Sequence, residues 1–262
     1  MKSVRRRLAV LGIEIWLPVL LVVAWWVASR DSESFYFPPL KDIWARFVGN
    51  WIFSGIPEFL LPSLANLGIG FALAVVAGIV AGLLLGLVPA LYRRCWLLLE
   101  LFRATPMIVL VPLAIMFFGV GSTEKIILIA VASVWPILLG TTDGLREVDP
   151  LVSEISRCYR VPLAIRLTRV MLPAALPQIL AGTRVSVSIA VSMMVGSELF
   201  ASTEGIGYFV LRTRETSAVT DLWTAIILLG LLGYLINLLY GAVEHVLLGW
   251  HRGLRAVEAN AK

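Results

Sequence analysis

Long apolar stretches alternate with short charged clusters along most of the chain. A helix that crosses a bilayer needs about 20 consecutive, mostly apolar residues. The pattern predicts six such spans, at 8–28, 63–88, 96–118, 125–142, 174–200 and 222–248. The third is interrupted by Glu100, Arg103, Pro106 and Pro112. Its first part is therefore expected at the membrane interface, and its later part is expected to kink. Residues 37–50, FPPLKDIWARFVGN, read as an interfacial segment on the outer face. Gly78, Gly82 and Gly86 recur every fourth residue and make a smooth stripe on the second span, where another helix can approach closely. No low-complexity tract or solenoid-length repeat is present. The expected fold is a single all-α, polytopic membrane bundle over residues 1–262.

Composition agrees. Of 262 residues, 59% are hydrophobic and 15% charged, where soluble domains run near half apolar and about a quarter charged. Charge sets the orientation. With the N-terminus inside, the inner segments collect Lys2, Arg5, Arg6, Arg7, Arg93, Arg94, Arg146, Arg157, Arg160, Arg166, Arg169, Arg252, Arg255 and Lys262. The outer ones hold Arg30, Lys41, Arg46, Lys125, Arg212 and Arg214. This bias predicts cytoplasmic N- and C-termini. It also accounts for the net +5 charge without invoking nucleic acid. The basic start and Val27-Ala28-Ser29 share features with a cleaved signal, but the apolar run exceeds a signal core, and an uncleaved helix is expected. Cys95 and Cys158 follow no metal or redox spacing and read as unpaired thiols.

One island interrupts the oily pattern: SEISRCYRVPLAIRLTRVMLP, between the fourth and fifth spans. Asp149-Pro150 is a helix start, with Asp as cap and Pro at the first helical position. Pro162 pushes Val161 to an extended conformation, which ends the helix near Arg160. A second short helix is expected from Pro162 through Arg169, followed by Met171-Leu172-Pro173 and the fifth span. Ile155, Tyr159, Leu163 and Leu167 are then available to bury. A solvated loop that only enforces topology would need fewer arginines and no apolar residues at helical spacing. A docking surface for a cytosolic partner fits better.

Glu154-Ile155-Ser156, Arg160 and Val170-Met171-Leu172-Pro173 resemble the EAA loop of binding-protein-dependent ABC importer permeases. The Glu and Leu-Pro spacing match. Ile155 and Ser156 stand for the two alanines and Arg160 for the glycine, where a left-handed arginine costs about 1 kcal/mol or more. Pro62-Ser63-Leu64 with Gly70-Phe71, the stretch FRATPMIVLVPLAIMFFGVGSTEKIILI with its Phe118-Gly119-Val120-Gly121 turn, and SELFASTEGIGYFV resemble the nitrate/sulfonate/taurine-type members. The likeness covers about residues 37–250. It implies a type I ABC importer permease fold with a coupling loop at 149–173, in a bacterial inner membrane. Glu154, Ile155, Ser156, Arg157, Arg160 and Pro173 would contact the ATPase. The implied partners are two ABC ATPase subunits, a second permease copy forming a homodimer, an extracytoplasmic substrate-binding protein docking near 201–220, and lipid. The implied cargo is a small solute, a nitrate-, sulfonate- or taurine-like anion or a vitamin-precursor-type compound.

The chain lacks an ATP-binding P-loop. Its only lysines are Lys2, Lys41, Lys125 and Lys262, none in a glycine-rich turn before Ser or Thr. ATP and Mg are thus expected on a partner, with no cofactor and no catalytic residue in this chain. Ser188, Ser192, Glu198 and Asn66 are candidate pathway residues, with Asn237 a similar case. Against a pathway role for Glu198 stands a solvated or inter-subunit ion pair near the outer end of its span, and Arg184 is expected to snorkel to the cytosolic interface. Glu100 and Arg103 have i, i+3 ion-pair spacing. His245 and His251 lack the companions of a metal site. An ion-coupled secondary transporter is the alternative, with Glu198 and the Pro106–Pro112 region as its weak candidates. A membrane-embedded enzyme finds no nucleophile–base pair.

Overall fold

The computed structural model describes residues 2–200 and 202–249, with side chains from Trp16 onward except at 53, 54, 153 and 157. The expected charges of Lys2, Arg5, Arg6, Arg7 and Arg157 lie on side chains outside those described, and Arg252, Arg255, Lys262 and His251 lie outside the described residues. Among those described, all regular structure is helical: α1 Lys2–Ser29, α2 Leu40–Phe47, α3 Leu61–Leu87, α4 Pro89–Ala104, α5 Val111–Phe118, α6 Ser122–Arg146, α7 Pro150–Cys158, α8 Leu163–Arg166, α9 Leu172–Phe200, α10 Ile206–Glu215 and α11 Val219–Leu247. Widened i→i+5 turns at Val48–Leu60 and Leu167–Met171 join α2 to α3 and α8 to α9.

Among the described residues, four helical runs are long and apolar enough to cross a membrane, Gly55–Leu87, Ser122–Arg146, Leu163–Phe200 and Val219–Leu247, and Trp16–Ser29 is a shorter apolar helix. The expected third span is broken. Pro89–Ala104 and Met107–Phe118 meet at 85°. Thr105 is extended (φ −77°, ψ 124°) because Pro106 follows it. The break therefore lies where the prolines predict it, and Glu100 and Arg103 do pair, at 3.6 Å.

The core is a three-helix layer with α6 in the middle. Half of the most apolar stretch of α6 is buried, against 6% for α11. The α3 face runs Gly70, Ala74, Gly78, Gly82, Gly86, and its glycines face Ile129, Ile137, Thr141 and Leu145 of α6, spaced by eight, four and four residues as the glycines are. A Cβ at Gly82 would lie 2.5 Å from Thr141 Cβ, and one at Gly78 2.8 Å from Ile137 Cβ. The opposite face of α6 meets α9 as closely: a Cβ at Gly140 would lie 2.8 Å from the Gln178 carbonyl. The glycine stripe seen in the sequence is thus half of a backbone-to-backbone seam. Cross-helix bonds fasten it. Thr142 Oγ1 donates to the Gly82 carbonyl at 3.3 Å and Ser186 Oγ to the Ser133 carbonyl at 2.7 Å.

At the end of the bundle far from α7, the 37–50 segment forms a polar and aromatic cap. Asn50 Nδ2 donates to Asp221 at 2.9 Å, and Trp51 Nε1 to Thr224 Oγ1 at 3.1 Å. Trp25, Phe37 and Trp223 cluster with centroids 5.2–6.4 Å apart, an arrangement suited to a membrane–water interface. Elsewhere the outward faces of α1, α3, α4 and α11 expose Leu, Val and Trp side chains, as contact with lipid or partner helices requires.

Gly82→Val should overpack the seam and destabilise the protein by about 1–3 kcal/mol. Gly68→Ala, at a helical site with nothing within 4 Å, should not lower stability. Thermal unfolding midpoints of the detergent-purified protein check this pair.

Candidate functional site

Three features organise the polar chemistry, beginning with the bend at α7. Asp149 Oδ1 accepts the Leu151 N–H at 2.8 Å and caps the helix as expected. The helix ends through a left-handed residue, Arg160 (φ +53°). The Val161 N–H reaches the Ser156 carbonyl at 3.0 Å and the Tyr159 N–H the Ile155 carbonyl at 3.0 Å. The longer of these loops is the Schellman closure, with Pro162 just beyond to stop the helix. Arginine thus takes the conformation a glycine would take more cheaply. The second arm of the bend differs from the two-helix reading. Pro162 starts α8, but Leu163–Phe200 forms one run, so Pro173 lies in the first turn of α9 and the bend is fused to the fifth span. Ser156 is turned inward, its hydroxyl donating to the Val152 carbonyl at 2.7 Å. Glu154 and Arg160 are exposed, as are Leu151, Val152, Ile155, Tyr159, Leu163 and Ile165. Of the apolar set, Leu167 alone packs on the bundle, beside Leu145 and Ala175.

The second feature lies at the far end of α9. Glu198 is fully buried. Its Oε1 accepts the Ser63 hydroxyl at 2.7 Å and its Oε2 the Gly207 N–H at 2.7 Å. Ser63 Oγ in turn accepts the Ile206 N–H at 2.9 Å. The carboxylate therefore ties α3, α9 and the start of α10 together. Two glycines make room: a Cβ at Gly205 (φ +102°) or at Gly207 would lie 2.5 Å from Glu198 atoms. Beside it, Lys125 is buried and donates to Ser202 Oγ at 2.6 Å. Glu198 is thus not solvated, and both its oxygens are bonded within the chain.

The third feature is a groove of about 830 Å³ between α9, α11 and the Met107–Ile108 turn. Ser188 and Ser192 line it from one face of α9, and Asn237 from α11. Glu198 and Asn66 do not line it; Asn66 is buried in α3. Arg184 does line it, one turn below Ser188, and its guanidinium pairs with Glu244 of α11 at 3.5 Å. Glu244 lies three residues from the C-terminal end of α11, so the Arg184 side chain reaches toward the end of the bundle that carries α7, the direction of the expected cytosolic interface. No cluster of three or more His, Cys, Asp or Glu fit to hold a metal occurs among the described residues.

This architecture has a counterpart among known proteins. Residues 74–248 match the family of binding-protein-dependent transport system inner membrane components. The chain belongs to that family. It is 29% identical over 241 residues to the taurine transport system permease protein TauC of Escherichia coli K12, covering 90% of this chain and 88% of that one. The bicarbonate transport system permease protein CmpB of Synechococcus elongatus is 30% identical over 178 residues, 68% of this chain and 64% of its own. The fold is similar to that of the MetNI methionine ABC transporter, with a TM-score of 0.61 at 20% identity over 72% of this chain and 94% of that one.

The permease therefore has the type I ABC importer fold and is a transmembrane subunit of an ATP-driven importer. Such permeases work with an ATPase and a substrate-binding protein. Sequence reading found the bend and the groove serines. It missed Ser63 as the anchor of Glu198 and Glu244 as the partner of Arg184. These pairs are 135 and 60 residues apart in the chain, beyond any spacing rule.

Ser63→Ala should leave Glu198 Oε1 and the Ile206 N–H unpaired in the interior, at a cost of about 1–3 kcal/mol. A drop of several degrees in the unfolding midpoint is expected. An unchanged midpoint would show that the clamp contributes nothing.

Proposed function

We propose that the bend at 149–173 is the surface through which a separate ATPase drives this permease. Glu154 and the arginines Arg157 and Arg160 supply charge-assisted contacts, Ile155 supplies buried apolar area, and Ser156 and Pro173 shape the two arms. The observation that carries the reading is the exposed apolar row on α7 and α8, set in a bend that its own capping bonds hold and that runs directly into α9. Water alone gives no reason to present Leu151, Ile155, Tyr159 and Leu163 together.

In this reading the bend faces the cytoplasm, as do both termini, and the Glu198 end faces outward. Two ATPases bind ATP and Mg, and the permease itself carries out no chemistry. Their closure moves two bends and switches the bundle between inward- and outward-facing states. A second copy of the chain completes the passage. The support is the mid-span face of α9 bearing Arg184, Ser188 and Ser192, all exposed in the single chain. An arginine there is costly against lipid and requires a protein neighbour or water. Ser188 and Ser192 line the passage, while Glu198 and Asn66 act on it from buried positions. An extracytoplasmic binding protein delivers the solute near residues 201–220. The relatives' names, taurine and bicarbonate permeases, support a small anionic or zwitterionic cargo.

Glu154→Arg, or deletion of residues 152–159, should abolish co-purification of the ATPase and reduce ATP-driven uptake at least tenfold, while the permease still inserts. Retention of both assembly and uptake would refute the docking role.

A further inference from the structure

We infer that Arg184 makes the passage select anions, with Glu244 as the positioning residue that holds its guanidinium at the groove wall. This rests on the proposed passage along Ser188 and Ser192. Arg184 is the one charged residue lining the groove among the described residues. Its ion pair is lopsided. The arginine side chain is 57% exposed and the glutamate 19%, so a solute in the groove meets the cation while the counter-charge stays behind it. Gly241, one turn before Glu244, lies beside the guanidinium: a Cβ there would stand in ordinary van der Waals contact, 3.7 Å from Arg184 Nη2.

The surrounding groups suit an anion moving past that cation. Ser188 and Ser192 follow Arg184 at successive turns, about 6 Å apart along the helix, and Asn237 faces them from α11. Ser192 spends its proton on the Ser188 carbonyl at 3.0 Å, and Asn237 one amide proton on the Gly233 carbonyl at 3.0 Å. The second Asn237 amide proton and the Ser188 hydroxyl remain as neutral donors. An anion leaving them steps toward a guanidinium whose Nε lies 3.5 Å from Glu244 and whose side chain is more than half exposed. The chemical class this takes is a small solute with one delocalised negative charge.

The test measures charge preference at the groove without knowing the cargo. In a full chain carrying Cys95→Ser and Cys158→Ser, co-expressed with its ATPase in membrane vesicles, Ser188→Cys is labelled with anionic sulfonatoethyl and cationic trimethylammonioethyl methanethiosulfonate. The ratio of the two rates is normalised to a free thiol. The expected ratio favours the anionic reagent. Arg184→Gln should lower it about tenfold, the scale of one unit charge at this separation in a partly screened site. Arg184→Lys should keep it within about twofold, and Glu244→Gln should raise it about threefold. A reactive Cys at 188 whose ratio ignores Arg184→Gln, or is lost equally in Arg184→Lys, overturns the assignment alone. Failure of both reagents to react in every nucleotide state overturns the water-filled passage, and the assignment with it.

Discussion

Glycine-mediated contact between helix backbones is the constraint on which this permease depends. In a bilayer, apolar side chains gain little by leaving lipid for protein, so tight association has to come from close packing and interhelical hydrogen bonds. α6 obtains both on two faces. The Gly70-to-Gly86 ridge of α3 admits its Ile and Thr side chains, while Gly140, Gly144 and Gly182 bring α6 and α9 to backbone contact. These spaces are too small for a Cβ. The three helices can therefore rotate or tilt as a unit far more easily than they can slide past one another.

That unit is bracketed by two polar devices. At one end, the α7 bend leaves α6 and re-enters as α9 with no flexible break after Pro162, so a push on the bend acts on the core layer directly. At the other, Glu198 fastens α9 to α3 and to the first turn of α10 through Ser63 and Gly207. A buried carboxylate is costly unless its hydrogen bonds are satisfied. Here both oxygens are, and the chain around it is shaped by glycines that admit it. Between these ends lies the groove, whose wall on α9 belongs to the same rigid layer. In the proposed coupling, displacement of the bend carries Ser188, Ser192 and Arg184 with it.

Much of this was legible in the sequence because it is written at short range. The apolar runs of α3, α6 and α11, the Asp149 cap, the proline break after α4 and the four-residue glycine period each depend on residues within a turn or two of one another. The Glu100–Arg103 pair is legible for the same reason. What escaped is long-range or conformational. Nothing near Glu198 announces Ser63, and nothing near Arg184 announces Glu244. The fusion of α8 to α9 escaped because Met171-Leu172-Pro173 looks like a helix start. The chain instead passes through it in widened turns, where the missing proline N–H costs little. Arg160 is the converse case: its residue type argues against a left-handed turn, and the capping bonds of α7 impose one.

The central claim is that bend and core layer move together. Spin labels at Tyr159 and Leu199, both exposed, in single chains diluted among unlabelled ones and assembled with the ATPase, measure it directly. The distance between them should stay constant, within about 2 Å, between nucleotide-free and ATP-trapped states, while a label pair on the bends of two copies changes distance. A bend that shifts relative to Leu199 on ATP binding would contradict the account.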